Sequence, residues 1–409
     1  MASVSRLVFA MALALGTTSL GTAADAQPGA RNPSLSKEER SALGALEAAV
    51  TTRNYAAASA ALAAAQAAAR GSDARYYTAL LQLRLGQETG NQAMQSAAID
   101  AIIASGLAPA GNLPALYRAQ GSLALNGGTR RDRERAEALL TRSFEAAPDA
   151  DTAITLVGLK LEQRKTQEAV ALLDRAIALR KAQGQPVPES WYRRGADLAV
   201  ANKIGPLGLK FTRELVAAYP SPENWRDAVL VYRDTAMPDE AAKLDSFRLA
   251  RLARALGGER DYLEAAQGFE TAGLPAESRS VLQEGVSARM IDPAKATFKE
   301  AVANSNKAAA AGRTQLAGLQ AKAMAAATGA AALQAGDQFL SAADYSTAAE
   351  LFRAALQKGG VDPGVANTRL GIALALAGRQ AEAMAAFRSV TGPRSDLAAL
   401  WLVWLGQRG

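Results

Sequence analysis

The sequence contains no cysteine and no histidine in 409 residues. It therefore forms no disulfide, no metal site with Cys or His ligands, and no Ser-His-Asp or Cys-His nucleophile. A catalyst built from this chain would have to use carboxylates, Lys, Ser or Tyr. The densest acidic group, Glu259 with Asp261 and Glu264, follows a glycine turn, and no phosphate loop or dinucleotide fingerprint is present. We expect neither enzyme activity nor a cofactor.

Aromatic residues are also scarce, at 5%, and long apolar runs are missing. Hydrophobic residues make up 49% of the chain, but most are Ala and Leu, which favour helices over strands. The net charge of +7 is a mild bias towards acidic partners, far from the dense basic stripe that nucleic-acid binding requires. No later stretch reaches the ~18 apolar residues of a membrane helix. We expect an almost all-α protein that binds no nucleic acid and does not span a membrane.

Residues 1–26 have the order of a secretory signal peptide. Arg6 supplies the positive charge, residues 7–15 form a short apolar run, and Ala24-Asp25-Ala26 gives the small-x-small pattern that signal peptidase reads. The run is too short to span a bilayer, and no Cys follows it to carry a lipid. We predict cleavage before Gln27, a linker at 27–35, and a soluble periplasmic protein.

From residue 36 onward, a pattern of small and large residues recurs at steps of 33 to 43 positions. Ala383 precedes Phe387 by four positions, and Ala348 precedes Phe352 in the same way. Earlier copies are anchored at Ala58, Ala93, Ala136, Ala169, Leu207, Ala241 and Ser278. A small residue at a helix crossing lets two backbones approach, and the larger residue fills the space beside it. The pattern predicts helix pairs that stack, each covering the apolar face of its neighbour.

These positions resemble the tetratricopeptide repeat (TPR), which has W-x-x-L-G-x-x-Y in its first helix and A-x-x-x-F-x-x-A in its second. Trp191 and Trp225 open two first helices of this kind. The matching packing residues of the last two units are Gly336, Ala348, Phe352, Leu370, Gly371, Ala383 and Phe387. The resemblance implies an all-α α-solenoid or superhelix of about nine to ten TPR-like antiparallel helix pairs, whose first helices line a concave groove.

Composition divides the predicted array into parts. We place an N-terminal TPR-like array at 36–292, a degenerate Ala-rich segment at 293–335, and a C-terminal TPR pair with a terminal helix at 336–409. The degenerate segment is either irregular helix or a hinge. The terminal helix at 396–405 is apolar nearly all round, so it either packs onto the final pair or docks on a partner.

An aromatic residue followed by Arg recurs at the start of predicted first helices. The candidate partner-binding groove consists of Arg118, Trp191, Arg193, Arg194, Trp225, Arg226 and Arg233. Guanidinium groups beside aromatic rings suit carboxylate-bearing peptides or anionic glycans, through bidentate hydrogen bonds and stacking. The alternative is that each aromatic residue packs inside the repeat and each Arg is a solvated neighbour.

Together these features predict an exported TPR-like protein that acts as a scaffold or adaptor for other proteins in the cell envelope. Its partners would be proteins or peptides, with acidic ones favoured. The alternative is a glycan-binding accessory of polysaccharide export, or an enzyme that processes envelope glycan.

Overall fold

The computed structural model describes residues 33–408, and every regular element in that range is an α-helix or a 3-10 turn. The prediction of an all-α fold is therefore confirmed. None of the helices in this range combines the length and the apolar character that crossing a bilayer requires. The signal peptide predicted at 1–26 and most of the linker predicted at 27–35 lie outside the described residues.

A first compact unit ends at Pro186. Its helices are α1 (Lys37–Thr51), α2 (Tyr55–Ala68), α3 (Ser72–Glu88), α4 (Gln92–Ser105), α5 (Leu113–Leu125), α6 (Arg130–Ala146), α7 (Ala150–Glu162) and α8 (Thr166–Ala182). Consecutive helices pack as antiparallel hairpins, α1 with α2 and so on to α7 with α8. Each hairpin is one predicted repeat.

A second compact unit begins at Val187. Its helices are α9 (Glu189–Ala201), α10 (Gly205–Ala218), α11 (Pro222–Ala236), α12 (Glu240–Leu252), α13 (Glu259–Thr271), α14 (Pro275–Ser287), α15 (Ala296–Gln315), α16 (Leu319–Ala325), α17 (Gly329–Ser341), α18 (Tyr345–Lys358), α19 (Pro363–Leu376), α20 (Gln380–Arg388) and α21 (Ser395–Gly406). The same pairing joins α9 with α10, α13 with α14, α17 with α18 and α19 with α20, and more weakly α11 with α12. In the segment predicted to be degenerate, α15 packs against α14 and α16 packs against α17. The boundaries predicted at 292 and 335, and the hinge, stay predictions.

A capping box starts α1 and also holds the next hairpin. Ser36 Oγ accepts from the Glu39 amide at 3.1 Å, and the Glu39 carboxylate accepts from the Ser36 amide at 2.8 Å. The same carboxylate accepts from the amides of Arg70 and Gly71, at 2.9 and 2.8 Å, just before α3. The hydrogen bond from Gly71, with those from the other two amides, lowers the pKa of Glu39 to about 2.

Glycines on first helices let the aromatic rings of second helices pack against the backbone. A Cβ added at Gly371 would lie 2.7 Å from Phe387 Cε1, and one at Gly336 would lie 2.5 Å from Phe352 Cε1. Cβ atoms essentially never approach other atoms within 3.0 Å, so any larger residue would push the hairpin apart. The seven residues predicted to pack the last two units, Gly336, Ala348, Phe352, Leu370, Gly371, Ala383 and Phe387, are all buried.

The C-terminal helix α21 closes the second unit on itself. It packs against α20 and also against α10, where Gln407 Nε2 donates to the carbonyl oxygen of Val216 at 2.6 Å. Trp401 is fully buried and stacks on Phe387, with ring centroids 5.5 Å apart. Of the two alternatives for this apolar helix, the structure therefore shows packing within the chain.

Buried charges lie at the point of closure, around α12. Arg394, just before α21, donates to Asp245 at 2.9 Å and to Asp239 at 2.8 Å. Arg248 donates to Asp245 at 2.5 Å and clamps both oxygens of Glu277 on α14, at 2.7 and 2.5 Å. The side chains of Asp245 and Arg248 are 0% and 3% exposed. Buried charges in contact with opposite charges in this way are stable only as a complete set.

The same cluster reaches α17 and α19. Arg369 on α19 pairs with Asp337 on α17 and lies 4.0 Å from Asp245. Burial outweighs the attraction of the nearby arginines and raises the pKa of Asp337 to about 6. Four helices and the segment before α21 are thereby joined through side chains distant in sequence.

Candidate functional site

Three of the four predicted groove arginines of the second unit, Arg193, Arg226 and Arg233, form ion pairs between consecutive first helices. Arg193 on α9 lies 3.4 Å from Asp227 on α11, and Arg226 on α11 lies 2.9 Å from Asp261 on α13. Each acid follows its arginine by one repeat length, 34 and 35 positions. The arginines thus form a ladder with acids of the next hairpin.

Arg233 extends this ladder by two turns along α11. It pairs with Glu264 on α13, and its guanidinium carbon lies 4.3 Å from the ring centre of Phe247. Lys243 lies 3.0 Å from the same Glu264 carboxylate. Burial disfavours the charge of Glu264, but the hydrogen bond from Lys243 and the charge of Arg233 outweigh it and lower its pKa.

The remaining predicted groove residues lie in different environments. Arg118 is on α5 of the first unit, 3.5 Å from Asp149. Arg194 is exposed on α9, and Trp191 beside it is half-buried. Trp225 is only 3% exposed and belongs to the apolar core of the second unit. Trp225 therefore packs inside the repeat, which is the alternative to a place in the groove. Arg226 and Arg233 line an open surface.

That surface is a cleft of about 630 Å³ formed by α11, the start of α12 and α13, called here the α11–α13 cleft. Its walls include two apolar side chains and four cations, Leu230, Met237, Arg226, Arg233, Lys243 and Arg260. An equal number of acids, Asp234, Glu240, Asp261 and Glu264, keeps its charge balanced. The arginines are therefore positioned side chains of a neutral cleft, not a free cationic patch.

The two apolar side chains of the cleft are exposed to solvent. Met237 is 82% exposed and Leu230 is 39% exposed. Met237 has φ 42° and ends α11, because the following Pro238 disfavours a right-handed helical conformation in the residue before it. Exposed apolar groups with a polar rim are typical of protein interaction surfaces.

A second cleft of about 590 Å³ adjoins the first and shares Arg260 and Glu264 with it. It continues to Phe298 at the start of α15, where Lys295 pairs with Glu259. Arg260 is exposed and has no ion-pair partner in the described part of the chain. The joined clefts offer a surface long enough for an extended or helical segment of another chain.

Among the residues that line the α11–α13 cleft, the recurrence of arginine in the sequence points to Arg226 and Arg233 but not to Leu230, Met237 or Arg260. Leu230 follows Arg226 by one helical turn, and the Met-Pro step marks a helix end, so the sequence places Leu230 on the same helix face as Arg226 and Met237 at the end of that helix. The sequence does not show whether these side chains are exposed, because their exposure depends on the neighbouring hairpins. Within residues 33–408, no three acidic side chains are placed to hold a metal ion.

No protein-family model matches the chain, and no curated protein sequence is similar to it. Among solved structures it is similar to a tetratricopeptide repeat protein from Parabacteroides merdae, with 17% identity over 64% of this chain and 100% of the other, at a TM-score of 0.25. The TPR2AB domain of yeast Sti1, in a complex with pHSP90, shares 10% identity over 73% and 96% of the two chains, at 0.23. The P58(IPK) TPR domain shares 14% over 83% and 98%, at 0.22.

At these TM-scores the superpositions carry no weight of their own. The TPR-like fold rests on the helix pairing and on the glycine–aromatic contacts of the hairpins. On that basis the predicted resemblance to the tetratricopeptide repeat is confirmed at the level of the fold.

Proposed function

We propose that this TPR-like chain is an exported scaffold or adaptor, and that it binds a protein partner in the α11–α13 cleft. The observation that carries the proposal is the exposure of Leu230 and Met237 among cations and acids of equal number. Apolar area removed from water contributes about 25 cal/mol per Å², so covering these two side chains favours binding. The surrounding ion pairs fix the arginines in place, which lowers the entropy lost on binding.

The chemistry of the cleft favours a protein partner over a glycan. Sugar rings stack on exposed aromatic faces, but Trp225 is buried and Trp191 is half-buried. The cleft offers aliphatic and thioether groups instead, and methionine suits surfaces that adapt to partner side chains. Its balanced charges suit a partner segment of mixed sign. Arg260, the cation without an ion pair, provides a contact for an acidic residue.

The cell-envelope location is supported by the leader pattern of residues 1–26. Its test is the mass of the protein recovered from a periplasmic fraction. A mature chain that starts at Gln27 supports export. A full-length chain found only in the cytoplasm overturns this part of the proposal.

The binding proposal is tested by capturing partners from envelope extract with cross-linking. We expect the variant with both Leu230→Asp and Met237→Asp to lose the partner that the wild-type chain retains. Met324→Asp is the matched control, because Met324 is 48% exposed and does not line the cleft. Equal capture by all three proteins contradicts a binding role for the cleft.

Assays on the same purified chain distinguish the protein scaffold from the glycan binder and the glycan-processing enzyme. Incubation with peptidoglycan or an anionic exopolysaccharide that releases product would favour the enzyme. Retention without product would favour a glycan binder. Neither result is expected from a protein scaffold.

A further inference from the structure

A cavity of about 650 Å³ lies between α12, α14, α15 and the turn from α17 to α18, and is called here the α14–α17 cavity. Its apolar walls are formed by Leu252, Pro275, Leu316, Phe339 and Leu376. The volume is within the ~300–1,000 Å³ typical of small-ligand sites. None of its lining residues belongs to the α11–α13 cleft, so the two sites are independent.

Two arginines in this cavity are already neutralised. Arg248 clamps Glu277 through two hydrogen bonds. Arg251 lies 3.0 Å from Glu284 and donates to Ser280 Oγ at 2.8 Å. Both glutamates that line the cavity are thus paired with these two arginines, so none of the four side chains offers an unpaired charge to a ligand.

Two further arginines, Arg279 on α14 and Arg313 on α15, line the cavity without an ion-pair partner among residues 33–408. The Nε of Arg279 is buried and finds no hydrogen-bond acceptor in the described part of the chain. An unmet donor of this kind is costly, and a ligand oxygen would satisfy it. The other acid of the lining, Asp344, accepts from the Thr347 amide as the N-cap of α18. Four arginines against three acids leave one net positive charge.

We propose that the α14–α17 cavity binds an amphipathic carboxylate, with its carboxylate on Arg279 and Arg313 and its apolar body against the leucines and Phe339. A guanidinium matches a carboxylate through two parallel hydrogen bonds, and a single net charge matches a monoanion better than a phosphate. Tyr345 lies in the same lining and adds an aromatic side chain to it. The carboxylate has two sources, the C-terminus of a peptide that ends in an apolar residue or a free organic acid.

The test uses the purified mature chain and two pairs of probes followed by calorimetry and ligand-observed NMR. The first pair is 4-phenylbutyrate and its neutral amide, and the second is the peptide Ala-Ala-Leu-Phe with a free or an amidated C-terminus. We expect saturable binding of at least one acid and at least tenfold weaker binding of its amide. Tighter binding of the peptide acid identifies a chain end as the source, and tighter binding of phenylbutyrate identifies a free acid.

The variants place the probe in the cavity. Arg279→Met and Arg313→Met keep the apolar stem and remove the charge, and each is expected to weaken binding about tenfold or more. Arg388→Met is the control, because Arg388 is exposed on α20 and does not line the cavity. Circular dichroism checks that the variants fold, and Arg313, which is exposed, gives a second variant if Arg279→Met does not. Failure of both acids to bind, equal binding of acid and amide, or equal binding by the folded variants overturns the proposal.

Discussion

Arg394 donates to Asp245 at 2.9 Å across 149 positions of sequence. This contact joins the segment before α21 to α12, in the middle of the second unit. The last helix is thereby held against α10 and does not end the array as an open cap. In a row of stacked hairpins, each hairpin normally contacts only the hairpins next to it in sequence. This closure adds a contact between parts of the chain that are far apart in sequence.

Removing the charge of Arg394 is expected to destabilise the second unit. Arg394→Met leaves the fully buried Asp245 with Arg248 as its remaining close partner, and breaking a buried pair from one side costs about 3–5 kcal/mol. Urea unfolding measures the change through tryptophan fluorescence. All four tryptophans, Trp191, Trp225, Trp401 and Trp404, lie in this unit, so the signal reports it alone. Arg388→Met should change stability by less than ~0.5 kcal/mol. Equal unfolding midpoints for both variants would show that the contact contributes nothing.

Adding one methyl group at Gly371 is expected to cost stability although it raises helix propensity. Gly371→Ala places a Cβ 2.7 Å from Phe387, and overpacking of this kind costs about 1–3 kcal/mol. Gly312→Ala is the matched control, because its Cβ would lie 3.8 Å from the nearest atom, Pro275 Cγ, and propensity alone favours Ala by ~1 kcal/mol. The two substitutions should therefore shift the unfolding midpoint in opposite directions. A stabilising Gly371→Ala would disprove the close hairpin contact.

Glu39 is expected to make the first unit sensitive to acid. The folded pKa of about 2 lies below the ordinary value of 4.5, so the ionised carboxylate stabilises the fold above pH 4.5. That contribution is lost as the pH falls from 4.5 towards 2. Thermal unfolding by far-ultraviolet circular dichroism should show Glu39→Gln less stable than the wild type at pH 7. The gap should narrow below pH 4.5, and a gap independent of pH would rule out the titration of this carboxylate as its cause.

The hairpins could be predicted from the sequence because their determinants are local and periodic. Gly371 and Phe387 lie 16 positions apart in one unit, and the same spacing separates Gly336 from Phe352. The residues that pack each hairpin therefore lie together in a short stretch of sequence. The closure could not be predicted in this way. Residues 396–405 indicate a buried helix through their composition, but its contact near Val216 lies 191 positions earlier.

The candidate site was predicted only in part. The recurrence of arginine points to Arg226. It does not show that Asp261, one repeat later, pairs with this arginine. That acid can be read at a fixed offset once the repeat length is known. The exposure of Met237 cannot be read from sequence, because the same residue type packs in cores as readily as it lies on surfaces.

Hydrogen–deuterium exchange on the wild-type chain, with and without its captured partner, tests the central claim of a protein-binding cleft most directly. Backbone amides of 226–243 and 260–264, the segments that line the α11–α13 cleft, should exchange more slowly when the partner is bound. Amides of 319–326, which surround the exposed Met324 outside the cleft, should keep their rates. Protection confined to other segments, with the cleft unchanged, would contradict the account.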